Sequence, residues 1–67
     1  MEIDVRINGS DQRMPRCTLA ELIHQKSLVA ASLVVEYNGA IIKQAAWREV
    51  TLNQGDVLEL LNFVGGG

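Results

Sequence analysis

Two Asn-Gly pairs, Asn8-Gly9 and Asn38-Gly39, constrain this chain more than any other feature, because each lies between two short runs of strand-forming residues. A two-residue link between antiparallel strands favours primed turns, in which both central residues take positive φ, and Asn followed by Gly tolerates that best. Ahead of the first pair, Ile3, Val5 and Ile7 alternate with Glu2, Asp4 and Arg6, the period of a strand with one buried face. Behind it, the stretch from about Asp11 to Arg16 is weakly apolar and contains Pro15, which has no N–H to donate and suits an edge or a strand end. "LVVEY" and "AIIK" flank the second pair in the same way, so the chain is expected to hold two hairpins.

Between the hairpins, Thr18-Leu19-Ala20-Glu21 reads as a capping box. The threonine hydroxyl accepts from the third helical amide, and the glutamate reaches back to the threonine amide. A helix of two to three turns is expected from there, with Leu19, Leu22, Ile23 and Lys26 at helical spacing and Glu21 and Gln25 turned outward. Farther on, a helical turn is expected over Gln44 to Trp47, an extended piece over Val50 to Leu52, and a turn at "NQGD", Asn53 to Asp56. The last strand, residues 57–64, reads "VLELLNFV". So uniform an apolar run is expected in the middle of a sheet, with both faces at least partly covered.

Sixty-seven residues make a single domain near the lower limit for one hydrophobic core. Hydrophobic residues are 48% of the chain and charged residues 21%, the balance of a globular protein. The longest nearly apolar stretch, from Leu28 to Val35, falls far short of the roughly 20 residues of a membrane span. "MEIDVRI" lacks the basic start and continuous apolar core of a secretory signal, and Cys17 is the single cysteine, so a cytoplasmic setting is expected. The net charge is −2 and the six basic residues are scattered singly, which speaks against nucleic acid as a partner. No pair of cysteines or cysteine–histidine spacing suggests a metal site.

The chain ends "NFVGGG". Glycine loses more conformational freedom on ordering than any other residue and has no side chain to pack, so this tail is expected to be loose. Taken alone, a terminal glycine run reads equally well as a linker remnant.

The order of strands and helix, with a central last strand leading into glycines, resembles the β-grasp fold of ubiquitin-like proteins. Within that group the chain resembles the ThiS family of small sulfur carriers of thiamine biosynthesis. The resemblance is densest over residues 34–67, "VVEYNGAIIKQAAWREVTLNQGDVLELLNFVGGG". It implies an α+β chain in which a mixed four- to five-stranded sheet packs on one helix, with residues 1–64 forming the domain and 65–67 a flexible tail. It also implies a non-enzymatic carrier that binds no cofactor itself. The carboxylate of Gly67 would be adenylated by an E1-like, ThiF-type enzyme using MgATP. It would then become a thiocarboxylate with sulfur from a cysteine desulfurase or another donor, and deliver sulfur to a ThiG-type thiazole synthase.

Elementary chemistry agrees with that scheme. A carboxylate is a poor electrophile, and joining it to AMP makes a phosphate the leaving group. Three extended glycines, at roughly 3.3–3.6 Å each, carry the carboxyl group about 10 Å from the folded body without side-chain bulk. Gly65 and Gly66 are thus read as clearance residues for threading into partner active sites.

Along the last strand, Leu58 and Leu60 alternate with Glu59 and Leu61. If the first pair faces the helix, Leu61 and Phe63 form a docking patch beside the tail. Cys17 and His24 have no third group to orient the imidazole, and both are read as structural or surface residues. Trp47 is read as a core anchor, and Lys26, Lys43 and Arg48 as solvated. The alternatives are a sulfur carrier for molybdopterin or another thiolated product, a ubiquitin-like modifier, and an interaction module with an inert tail. Molybdopterin carriers tend to be longer, with proline before the final residues, where this chain has Asn62-Phe63-Val64.

Overall fold

The computed structural model describes residues 1–63, so the readings for Val64 and the three terminal glycines lie outside the described residues. Strand β1 (Glu2–Ile7) turns into β2 (Ser10–Pro15), helix α1 (Leu19–Gln25) follows, and β3 (Leu33–Tyr37) turns into β4 (Ala40–Ile42). Short 3-10 turns occupy Ala30–Ser32 and Gln44–Glu49, and β5 (Val57–Asn62) comes last. The five strands form one mixed sheet in the order β2-β1-β5-β3-β4, with β1 and β5 parallel and every other pair antiparallel. This is the β-grasp arrangement that the resemblance implies.

Both Asn-Gly pairs make the turns their chemistry favours. Asn8 and Gly9 have φ of 50° and 82°, and Asn38 and Gly39 have φ of 48° and 88°. With Ile7 opposite Ser10 and Tyr37 opposite Ala40, each is a two-residue primed turn. The capping box is also complete: Glu21 N–H donates to Thr18 Oγ1 at 3.1 Å, and Thr18 N–H donates to Glu21 Oε1 at 2.7 Å.

The helix stops after two turns. Ser27, at φ 56°, takes the left-handed position that glycine usually fills; its N–H bonds His24 O at 3.0 Å, and Leu28 N–H bonds Ile23 O at 3.3 Å. Those two bonds close a Schellman motif. Lys26, at the end of the helical spacing, is the C-cap and is exposed, as its reading as a solvated residue expects.

Helix α1 lays Leu19, Leu22 and Ile23 against Ile3, Val5 and Ile7 of β1, Val35 of β3 and Leu58 and Leu60 of β5 in one core. Trp47 closes one end, only 4% exposed, with its indole N–H on Ile42 O at 2.9 Å. The expected extended piece at Val50 to Leu52 runs beside the helix entry. Leu19 N–H bonds Val50 O, Leu52 N–H bonds Cys17 O, and Thr18 bridges Thr51. Among the described residues no helix is long and apolar enough to cross a membrane.

One expectation needs correction. Strand β5 is central, but its two faces are not both covered: Leu58 and Leu60 are buried while Val57 and Leu61 are 43% and 48% exposed. One helix covers one face of the sheet, and the described chain has nothing to lay over the other. The strand also ends at Asn62, with Phe63 outside it.

Candidate functional site

The sequence directs attention to the end of β5, and the structure shows how that end is held. Pairing with β3 extends along the strand to Leu33 opposite Asn62, and Phe63 N–H donates to Ser32 O at 2.7 Å. On the other side, β1 pairs with β5 only at Arg6–Val57 and Ile7–Leu58. The ladder would stop there, but Asn8 prolongs it. Its backbone N–H bonds Leu58 O at 2.9 Å, its Oδ1 accepts from Leu60 N–H at 2.7 Å, and its Nδ2 donates to Leu60 O at 3.2 Å. A side-chain amide thus stands in for a strand residue.

The start of β5 is fixed by the other turn asparagine. Asn38 N–H donates to Val57 O at 2.8 Å, and Asn38 Oδ1 accepts from Val57 N–H at 2.8 Å. Its Nδ2 donates to Asp56, a carboxylate only 8% exposed that also accepts from Tyr37 Oη and Asn53 N–H, both at 2.7 Å. A buried carboxylate needs such donors to offset lost hydration. The hydrogen bond to Asp56, followed by burial, pushes the Tyr37 phenol above its ordinary range. Sequence reasoning missed this second duty of both asparagines, because the turn alone already accounted for them; their equal placement ahead of glycine is the only signal.

The face of β5 away from the helix carries Val57, Glu59 and Leu61, with Phe63 beyond the strand end. Leu61 is 48% and Phe63 60% exposed, and Val34 lies opposite Leu61 across the β3–β5 ladder. Ile41 of β4, 62% exposed, extends the same apolar surface. Leu61 and Phe63 therefore sit together next to the start of the tail, whereas Gly65, Gly66 and Gly67 are outside the described residues.

Among the described residues, Cys17 and His24 stand apart from this end of the sheet. Burial, followed by the charge of Glu21, pushes the half-buried Cys17 thiol up, away from the reactive thiolate. His24 is exposed on the helix. Among the described residues no three histidine, cysteine or acidic side chains group as metal ligands. The ion pairs Arg6–Asp11 and Arg13–Asp4, both 3.0 Å, lie on the exposed face of the first hairpin and contribute little.

Residues 5–67 match the model of the ThiS family. The chain is 34% identical over 65 residues to the sulfur carrier protein ThiS of Bacillus subtilis (strain 168), covering 94% of this chain and 98% of that one. It is 31% identical over 62 residues to a thiazole synthase of Paramagnetospirillum magneticum, covering 91% of this chain and only 19% of that protein. Its fold superposes on the crystal structure of the thiamine biosynthesis protein ThiS from Geobacter metallireducens with a TM-score of 0.82 and 28% identity, over 97% of this chain and 100% of that one. Full-length agreement in sequence and in strand order, including the stretch that leads to the terminal glycines, establishes that the chain belongs to the ThiS family of sulfur carriers of thiamine biosynthesis.

Proposed function

We propose that the Gly67 carboxylate is the group this carrier loads and unloads. An E1-like adenylating enzyme of the ThiF type joins it to AMP from MgATP, releasing pyrophosphate. A persulfide supplied through a cysteine desulfurase, or sulfide from another donor, attacks the acyl carbon and expels AMP; in the persulfide case a thiol then reduces the resulting acyl disulfide, itself ending as a disulfide, and releases the thiocarboxylate. A ThiG-type thiazole synthase then takes the sulfur. The chain contributes an acyl terminus and a docking surface, and the bond-making residues belong to the partners. Gly65 and Gly66 keep the thread narrow, and Leu61 and Phe63 supply the apolar contact beside it.

The observation that carries this reading is the family match running through residue 67, so the terminal glycines belong to the family pattern rather than to an appended linker. The P. magneticum thiazole synthase lends support for one partner, because a stretch similar to this chain occurs within that longer protein. Exposed Leu61 and Phe63 support a contact next to the tail.

The test is incubation with the adenylating enzyme, MgATP and a sulfur donor, followed by intact-mass analysis. Wild type gains AMP and then exchanges one oxygen for sulfur at its terminus. A variant lacking Gly67 gains neither, and Gly66→Val folds normally but is loaded more slowly. Uptake of AMP by the variant lacking Gly67 would refute the assignment. Rescue of a gene-deleted strain by the thiazole precursor places the product in thiamine synthesis; failure of that rescue points to another thiolated product.

A further inference from the structure

On the uncovered face of the sheet, Glu36 of β3 lies directly opposite Glu59 of β5. Residues opposed in an antiparallel pair hold their Cβ atoms about 4.5–5.5 Å apart, and like charges so placed destabilise a sheet. Both side chains are half-buried. Their surroundings are apolar: Ile41 lies opposite Glu36 on β4, while Val57 and Leu61 flank Glu59 along β5. The nearby Arg6, on the adjacent strand β1 opposite Val57, is bonded to Asp11, and the other ion pair among the described residues, Arg13–Asp4, lies on the same β1–β2 hairpin. Among the described residues neither Glu36 nor Glu59 has an ion-pair partner, so two carboxylates stand together in a largely apolar surface at a cost to the isolated fold.

We propose that this pair is the seat for one arginine or lysine of the adenylating partner, inserted between the carboxylates as the surrounding apolar residues are covered. The inference rests on the docking role given above to Leu61 and Phe63 and adds the charge that the partner must present. Apolar contact supplies most of the burial. The carboxylate pair supplies orientation, because a cation seated between Glu36 and Glu59 fixes where β5, and hence the start of the tail, lies on the partner. It also speeds encounter by attraction at a distance, which salt weakens. An arginine meets the geometry best, since its planar fork can donate to two carboxylates at once.

The experiment compares wild type with Glu36→Gln, Glu59→Gln and the double variant, measuring the unfolding midpoint and the affinity for the purified adenylating enzyme at low and high salt. Leu61→Ser and Phe63→Ala are measured in parallel. The expected result is opposed signs: the double variant unfolds at or above the wild-type temperature, binds about tenfold more weakly, and loses most of its salt dependence. Unchanged affinity in the double variant, with weakened binding by Leu61→Ser or Phe63→Ala, overturns the cation seat and leaves the docking face standing. Unchanged affinity in all of the variants overturns both. A joint fall in midpoint and affinity also overturns the seat, because the pair would then be supporting the fold.

Discussion

Replacing Asn8 by glycine isolates what its side chain does for β5. Glycine keeps the positive φ of the turn, 50° at this position, so the backbone geometry survives. Two backbone effects then oppose each other: relief of left-handed strain, about 1 kcal/mol, and the added freedom of the unfolded chain, about 0.4–1 kcal/mol. They nearly cancel. What remains is the loss of the two bonds to Leu60, at 2.7 and 3.2 Å, beside a residue only 7% exposed. At about 1 kcal/mol net for each bond, Asn8→Gly costs about 2 kcal/mol, or about 30-fold in the folding equilibrium. For a domain of this size that lowers the thermal midpoint by about 8–16 °C. Thermal unfolding followed by circular dichroism measures the shift, and amide exchange at Leu60 shows whether the loss is local. A midpoint within about 2 °C of wild type, with Leu60 still protected, would mean that water replaces the amide at no cost, and the extended ladder would carry no energetic meaning.

Three further outcomes follow from the packing and hydrogen bonds. Leu58→Ala removes a side chain with no exposed surface and should cost about 2–5 kcal/mol, whereas Leu61→Ala on the open face should cost well under half as much; equal losses in denaturant titrations would contradict the one-sided core. Ser27→Gly relieves a left-handed residue at the helix end, about 1–2 kcal/mol of strain, against about 0.4–1 kcal/mol of added freedom in the unfolded chain, so the midpoint should rise by a few degrees at most; a fall would show that Ser27 is unstrained. Tyr37 is the only tyrosine and its folded pKa is raised, so its stabilising contribution is complete below about pH 10, the ordinary value, and is lost as pH climbs through the folded value. The stability gap between wild type and Tyr37→Phe should therefore narrow above about pH 10, and tyrosinate absorbance should titrate at higher pH in the folded than in the unfolded protein.

The elements that could be read from sequence are those whose signals act through the nearest backbone. Asn-Gly specifies φ at two adjacent residues, and Thr18 with Glu21 satisfies two amides within one turn, so both hairpins and the helix start appear where expected. Pro15 ends an edge strand, as its missing donor requires. The helix end was not legible, because a serine fills the position that glycine would have announced. The long-range clamps of Asn8 and Asn38 were equally hidden, since side chains bonding 52 and 19 residues away leave no local pattern.

Strand β5 shows where a sequence pattern stops carrying information about burial. Apolar residues on both faces suggested cover on both, yet the fold accounts only for Leu58 and Leu60. Val57 and Leu61 lie on the face that the helix leaves open, 43% and 48% exposed, and Phe63, past the strand end, is more exposed still. Glu59 breaks the run, and it does so opposite Glu36, where an isolated sheet would gain from any neutral residue. A surface selected only for the stability of this chain would be polar at the first three positions and uncharged or of opposite charge at the pair. The same face thus departs from folding logic twice, in hydrophobicity and in charge, and both departures are relieved by one event: the seating of an apolar partner surface that carries a cation. Phe63, the last described residue, stands 60% exposed beside this face, so in the function proposed above the surface that recognises the partner lies next to the segment that bears the reacting carboxylate.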